Sequence, residues 1–353
     1  MTVIHVPLDE VRDLLTRLLV SKCLFRFDAE IVAQRLLDAD LRGLTAYGVT
    51  SVPRILEALA VGDIDPRGRI LTLHETPALA VLDGSRAVGA VAATKGMQVA
   101  IAKARQVGVG TVVVGNSQTL GAASVYSLLA AREGLIGFVT SSTGPATVAA
   151  HGAARPAVGN HPVSWAVPLR DRSPFVTDFS CGSTSWSDVD AARARNEPLA
   201  EGIALDTDGQ PTTDPRAAAT LLPMAGARGF GMAFACSVLT GGLAGGKLPI
   251  RKRQSASAED SQHFFQAFDP SAFIDPERFA KELNSAADAI RRLPPAPGFD
   301  RVRLPGDDDD DRCAERIRVD GLPLDPVLHA DLGRLTPGGW TRIAASSPPT
   351  CNG

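Results

Sequence analysis

Residues 87–116 set three unlike segments in direct succession: the Ala-rich AVGAVAATKGMQVAIAKARQV, then Gly108, then a valine run ending TVVVGN. The first segment (87–107) predicts a helix. Gly108 suits the left-handed residue that stops one, and TVVVGN (111–116) predicts a buried strand running into a loop. A helix emptying into a buried strand makes the middle of the chain mixed α/β.

The flanking segments extend this pattern. Residues 8–21 and 28–42 predict two helices, with Asp28 as the cap of the second, Ile31, Val32, Leu36 and Leu37 as its apolar stripe, and Gly43 in the αL position beyond its end. Residues 69–84 alternate apolar and polar around a proline, as paired short strands do. A helix over about 121–133, a strand at LIGFVTSS, and strands near VSWAVP and FVTDFS follow. Residues 182–220, with DTDGQPTTDP, are turn-rich. Helices are expected over 229–240 and 276–292, a mobile surface loop over 251–262, a solvated loop at the run Asp307–Asp311, and a frayed tail over 341–353. The expected organisation is a helical part (1–68) packing with the C-terminal region, a central α/β cofactor and substrate domain (69–250), and a C-terminal helix and strand region (251–340).

The 36 Lys and Arg against 39 Asp and Glu argue against nucleic acid or a membrane surface as main partner. No apolar run has the length of a membrane span, and the start MTVIHVPLDEVRDLL is acidic where a signal peptide is basic, so the expectation is a cytoplasmic protein. Five dispersed cysteines and six dispersed histidines, without C-x-x-C or H-E-x-x-H spacing, suggest reduced thiols and no metal centre.

Two nucleotide signatures fail. GGLAGGKL (241–248) has the order of a phosphate-binding loop but ends in Leu248 where a hydroxyl is needed, and follows a helix rather than a strand. No G-x-G-x-x-G follows a strand, so a Rossmann fold has no support.

Four stretches together resemble one family. RGLTAYGV (42–49) is similar to R-G-x-x-S-H-G-V, NSQTLGAAS to N-S-x-H-x-G-A, and LLPMAGARGFGM to L-P-x-G-G-x-K-G-Y-G-L, while DTDGQPTTDP matches closely. These are motifs of the type 2 malate/L-lactate dehydrogenase family, and the likeness continues through PAPGFDRVRLPGD over nearly the whole chain. The resemblance implies a homodimeric α/β protein with a largely antiparallel central sheet flanked by helices. It also implies NADH or NADPH bound without a Rossmann fold, and reduction of a 2-keto acid or cyclic imine or the reverse oxidation.

Against that pattern, Ser-His becomes Ala46 and Tyr47, and the acid/base histidine becomes Thr119. P-F-G-G becomes Ala150–Ala153, G-T-N-P becomes Gly159, Asn160, His161 and Pro162, and D-M-A-T-S retains Asp178 but has Cys181 in its Thr-Ser pair. The later Gly-Lys becomes Ser187 and Asp188, and the lysine of K-G-Y-G becomes Arg228. Glycines and prolines that shape the backbone persist, whereas side chains for chemistry change. Threonine does not titrate near neutral pH, so Thr119 does not replace a histidine as acid/base.

The candidates at the rewritten catalytic positions are Tyr47, His161, Thr119 and Cys181. Tyr47 is either a proton donor or a filler of the volume the histidine left. His161 is a titrating group or a structural one. Cys181 is a thiolate nucleophile or a packed residue. Asn116, Ser117, Gly121, Gly159, Asn160, Asp178 and Arg228 are the cofactor-binding candidates, with Arg228 set for an anion at a helix start.

Three functions follow: a divergent NAD(P)-dependent oxidoreductase acting on a small, anionic carbonyl or imine compound, a repurposed isomerase, cyclase or lyase that has lost the nicotinamide, and a non-catalytic dimeric binding protein.

Overall fold

The computed structural model describes residues 3–252 and 260–340. Strand β1 (Ile4–Val6) leads into α1 (Leu8–Ser21) and α2 (Arg26–Leu41), and two 3₁₀ turns carry the chain to α3 (Val52–Val61). Leu14, Leu15 and Leu18 of α1 pack against Val32, Leu36 and Leu37 of α2, which is the stripe the spacing predicts. Helix α2 starts earlier than 28–42, with Phe25 and not Asp28 at its cap; Asp28 lies in the first turn, where burial pushes its carboxyl up.

The middle of the chain runs β2 (Leu71–Glu75), β3 (Leu79–Asp83), α4 (Gly89–Val107), β4 (Val109–Ser117), α5 (Ser124–Arg132) and β5 (Ile136–Ser142). It continues through β6 (Val148–Ala149), β7 (Pro156–Val158), β8 (Pro162–Val167) and β9 (Phe175–Ser180). Helix α4 ends on Gly108 at φ +87°, as expected, and α5 is shorter than 121–133. Beyond lie α6 (Trp186–Arg195), β10 (Ala204–Leu205), β11 (Thr220–Leu221), α7 (Ala227–Ser237), β12 (Ser261–Phe268), α8 (Pro276–Arg291), α9 (Asp307–Arg318), β13 (Leu322–Leu324) and α10 (Pro326–Leu335).

Strands β2-β3-β4-β12-β5-β8-β9 form the central sheet, in which β3–β4 alone pair in parallel. The largely antiparallel sheet flanked by helices is thus the expected one. Its central strand is the surprise. Against the loop expected over 251–262, of which 253–259 lie outside the described residues, Ser261 and Gln262 open β12 between β4 and β5. Successive β12 side chains serve opposite faces: Phe264 packs in the core beside Val113 and Phe138, and Phe265 in that of Met97 and Tyr126.

Three other expectations change. Helix α7 occupies Ala227–Ser237 and continues as a π turn to Gly242, rather than spanning 229–240. The turn-rich stretch 182–220 contains α6, opened by a capping box between Ser185 and Asp188. Asp307–Asp311 is no solvated loop: it begins α9, with four aspartates in the first turn, where the helix dipole favours anions. Arg42 and Arg291 pair with Asp310 and Asp307 from outside the segment. Among the described residues no helix is long and apolar enough to cross a membrane.

Candidate active site

The loop that carries Tyr47 is fixed from below. Gly43 sits at φ +84° against the Arg312 side chain, which a Cβ would strike at 2.5 Å. Asp40, buried at the end of α2, accepts the Val49 N–H at 2.7 Å, and its carboxyl fills the space a Gly48 side chain would need. Burial pushes Asp40 up to about 7 against the pull of that hydrogen bond and of Arg316. The 3₁₀ turn Thr45–Tyr47 then presents the tyrosine ring, 40% exposed. Burial first, and Asp178 and Asp188 next, raise its phenol above the ordinary 10. Tyr47 therefore stays protonated near neutral pH, with a hydroxyl able to donate.

The ring stands at the junction of two chambers. The larger, of about 780 Å³, is lined by Tyr47, Thr119, Asn160, His161, Asp178 and Asp188, among others. The smaller, of about 380 Å³, shares Ala46, Tyr47, Arg54, Thr119, Gly121 and Ser187 with it.

Asp178, on β9, accepts the Ser124 N–H at 2.8 Å at the start of α5. Crowding by protein raises its carboxyl to about 6, outweighing that hydrogen bond; Asp309 adds to the rise and Arg42 opposes it. The carboxyl nevertheless faces the open chamber, so solvent there screens part of the shift and a ligand that displaces the solvent restores it. A carboxyl poised near neutrality in a cavity is equipped for proton transfer.

His161 is not. It is 1% exposed, Nδ1 lies 2.8 Å from the Ser141 carbonyl, and Nε2 lies 2.8 Å from Ser237 Oγ. A carbonyl only accepts, so Nδ1 donates; Nε2 of the neutral ring is the acceptor, and it shares the Ser237 hydroxyl proton with the Ala233 carbonyl, 2.9 Å from the same oxygen. Burial chiefly lowers His161 to about 4. With both nitrogens engaged and no charge near pH 7, it is a wall of the chamber rather than its acid or base. Gly159, expected to face the cofactor, instead makes room for this ring, whose Cε1 a Cβ would meet at 2.6 Å.

Of the two alternatives for Cys181, the structure has the packed residue. Its side chain lies in the core beside Cys236, outside the chamber lining, and the contact with Cys236 together with burial pushes the thiol up, away from thiolate. Asn160 lines the larger chamber, but both ends of its amide are used: Nδ2 donates to the Thr184 carbonyl at 2.8 Å and Oδ1 accepts from Gly182 N–H at 2.7 Å. It holds the loop leading to α6. Asn116, at φ +49°, donates to Asp83 Oδ1 at 2.9 Å, and Ser117 Oγ lies 3.0 Å from His263 Nε2; neither lines a chamber. Arg228 is exposed in the first turn of α7, outside both linings.

Of the expected residues, then, Tyr47, Thr119, Gly121, Asn160, His161 and Asp178 come together. The structure adds Arg54, which lines both chambers, and Asp188. Arg54 carried no motif of its own, whereas Asp188 was legible as the fourth residue of a Ser-x-x-Asp capping signal.

The sequence profile of the malate/L-lactate dehydrogenase family matches residues 6–333. The L-sulfolactate dehydrogenase of Methanocaldococcus jannaschii is 33% identical over 310 residues, 86% of this chain and 88% of that one. The ureidoglycolate dehydrogenase (NAD(+)) of Escherichia coli O157:H7 is 34% identical over 324 residues, 90% of this chain and 91% of that one. The solved structure of the sulfolactate dehydrogenase from Methanocaldococcus jannaschii superposes with a TM-score of 0.86 at 30% identity, covering 94% of this chain and 96% of that one.

Proposed function

The chain belongs to the malate/L-lactate dehydrogenase family, and on that premise we propose that it is a divergent NAD(P)-dependent oxidoreductase. It interconverts a small anionic 2-oxo acid, or the corresponding imine, with its reduced form. The observation that carries this reading is geometric: Asp178, whose carboxyl is raised by crowding, and a protonated Tyr47 line one chamber.

The residues fit a nicotinamide cofactor. A chamber of about 780 Å³ has the size of a ligand pocket, and its lining of Asp178, Asp188 and Asp309 suits the positive oxidised nicotinamide ring. Among the described residues, Arg54 is the one arginine of that lining; Arg228, at the α7 start, lies outside it. When bound, the cofactor supplies or accepts the hydride. Tyr47 donates a hydrogen bond to the substrate oxygen or nitrogen and passes its proton there. Asp178, which senses the phenol electrostatically, replaces that proton. Arg54 attracts the substrate carboxylate. Thr119, in place of the histidine that the family resemblance leads one to expect, contributes a hydroxyl and no titrating group.

A homodimer belongs to the same reading. Helix α7 and the turn after it expose Met232, Phe234, Val238 and Leu243, apolar surface suited to a second copy of the chain.

A second reading, cofactor-independent chemistry on a carbonyl or imine, draws on the same lining: three aspartates against one arginine is a poor reception for a pyrophosphate. Titrating NADH and NADPH into the purified protein, followed by Trp fluorescence or heat, separates the two. Saturable binding is expected, and its absence at millimolar cofactor overturns the redox reading.

A further inference from the structure

The smaller chamber has no task in the chemistry above. It lies between α2, α3 and the start of α4, walled by Leu36, Ile55, Ala58, Ile64 and Val88, with Val61 at its mouth. Leu36, Ile64 and Val88 are buried core residues. The chamber is a cleft of about 380 Å³, open to solvent past Val61, and its inner walls are these apolar side chains. Its frame is tied down: Gln118 Nε2 donates to the Asp63 carbonyl at 2.9 Å, and Gly89 presses so closely on the Gln118–Thr119 backbone that no Cβ fits.

The charges in the lining cancel. Arg35 and Arg54 face Glu57 and Asp63, and Arg35 also lies 3.2 Å from Asp38. No net charge is available for the second carboxylate or sulfonate of an acid such as malate or sulfolactate.

We propose that this chamber is a specificity pocket for an uncharged hydrocarbon or aromatic tail, so that the substrate is a monocarboxylic 2-oxo acid or imine with an apolar side chain. The inference rests on the proposed function for the placement of the head: the reacting carbon at Tyr47 and Asp178, the carboxylate towards Arg54, and the tail past Thr119 and Gly121 into the chamber. Each methylene transferred from water to such walls tightens binding roughly fourfold.

The test uses two ligand series. Saturated straight-chain carboxylates from butanoate to octanoate are titrated calorimetrically, and 2-oxo acids from pyruvate to 2-oxooctanoate are assayed with NADH and NADPH. Affinity and kcat/KM are expected to climb with chain length, roughly fourfold per methylene until the chamber is full. Ala58→Phe, which fills the chamber, is expected to abolish that climb, and Ile55→Ala to move the optimum to a longer chain. Carboxylate binding that rises with length, without turnover of any 2-oxo acid, upholds the pocket and overturns the redox reading. Reduction of short acids or malate with no gain from length, or a gain untouched by Ala58→Phe, overturns the pocket and leaves the redox reading standing.

Discussion

Asp178→Asn isolates the group on which the proposed chemistry turns. Asparagine keeps the oxygen that accepts the Ser124 N–H at 2.8 Å and removes the titrating proton and the charge. A positioned general acid or base is worth about 10² to 10⁴ in rate, so kcat should fall by that factor. The wild-type carboxyl, raised to about 6, also sets the shape of the pH profile. Reduction needs its protonated form and should weaken as pH rises through about 6; oxidation needs the ionised form and should weaken as pH falls through the same value. Both limbs should be absent in the variant.

Stability supplies the control. A carboxyl raised from 3.8 is protonated in the fold where the unfolded chain has already released its proton, so ionising it costs stability between about pH 4 and 6. Because the group faces solvent in the open chamber, that cost is screened, and the variant should differ from wild type by no more than about 1 kcal/mol above pH 6. Steady-state kinetics in both directions from pH 4.5 to 8.5, with urea unfolding alongside, give the answer. An Asn variant that keeps kcat within a few-fold, or retains either limb, refutes the assignment of proton transfer to Asp178.

Tyr47→Phe removes a donor aimed at the substrate and should lower kcat by about 10², with NAD(P)H affinity unchanged by fluorescence titration; full activity would leave Tyr47 a filler of volume. His161→Ala should cost about 3 kcal/mol in urea unfolding at pH 7.5, since it opens a cavity in the interior and takes the ring N–H from the Ser141 carbonyl, while the Ser237 hydroxyl keeps its bond to the Ala233 carbonyl. The ring's folded value of about 4 lies below 6.5, so its contribution is complete above pH 6.5 and fades as pH falls towards 4, and the gap between wild type and variant should narrow accordingly. Gly43→Ala, at φ +84° against Arg312, should lose about 1 to 2 kcal/mol of unfolding free energy; an unchanged value would show that the loop below Tyr47 is not so fixed.

Elements whose cause is local were legible in the sequence. The stripe of α2, the glycine stop of α4 and the valines of β4 each follow from neighbours within a few residues. Elements whose cause is remote were not. Strand β12 needs Phe264 and Phe265 on opposite faces because β4 and β5 flank it, and neither alternation nor turn residues mark that arrangement in QHFFQAF. The aspartates of α9 read as a solvated run because two of the arginines that pair with them, Arg42 and Arg291, lie at the ends of other helices, while the nearby Arg301, Arg303 and Arg312 are equally at home beside a loop. In the site, Tyr47 and Asp178 carried their motifs openly, but the raised carboxyl depends on crowding that only the fold supplies.

The histidines show the same division most sharply. His161 stands in a motif position where titration near pH 7 was a fair expectation, while His263 carried no motif, and the fold treats them alike. His263 Nε2 lies 3.1 Å from the Gln118 carbonyl, and so donates, while its Nδ1 takes the Ser141 hydroxyl at 2.8 Å; burial lowers it to about 3. Ser141 thus serves both rings, His161 through its carbonyl and His263 through its hydroxyl, and Lys252 nearby disfavours charge on either. One neutral chain of hydrogen bonds runs from Ser117 on β4 through β12 and β5 to Ser237 on α7, beneath the larger chamber. Protonating either ring would reverse its bond to the serine hydroxyl and place a charge in the interior, which burial and Lys252 oppose. The two histidines fix the floor on which Tyr47 and Asp178 work, and proton transfer falls to the two groups that face the chamber.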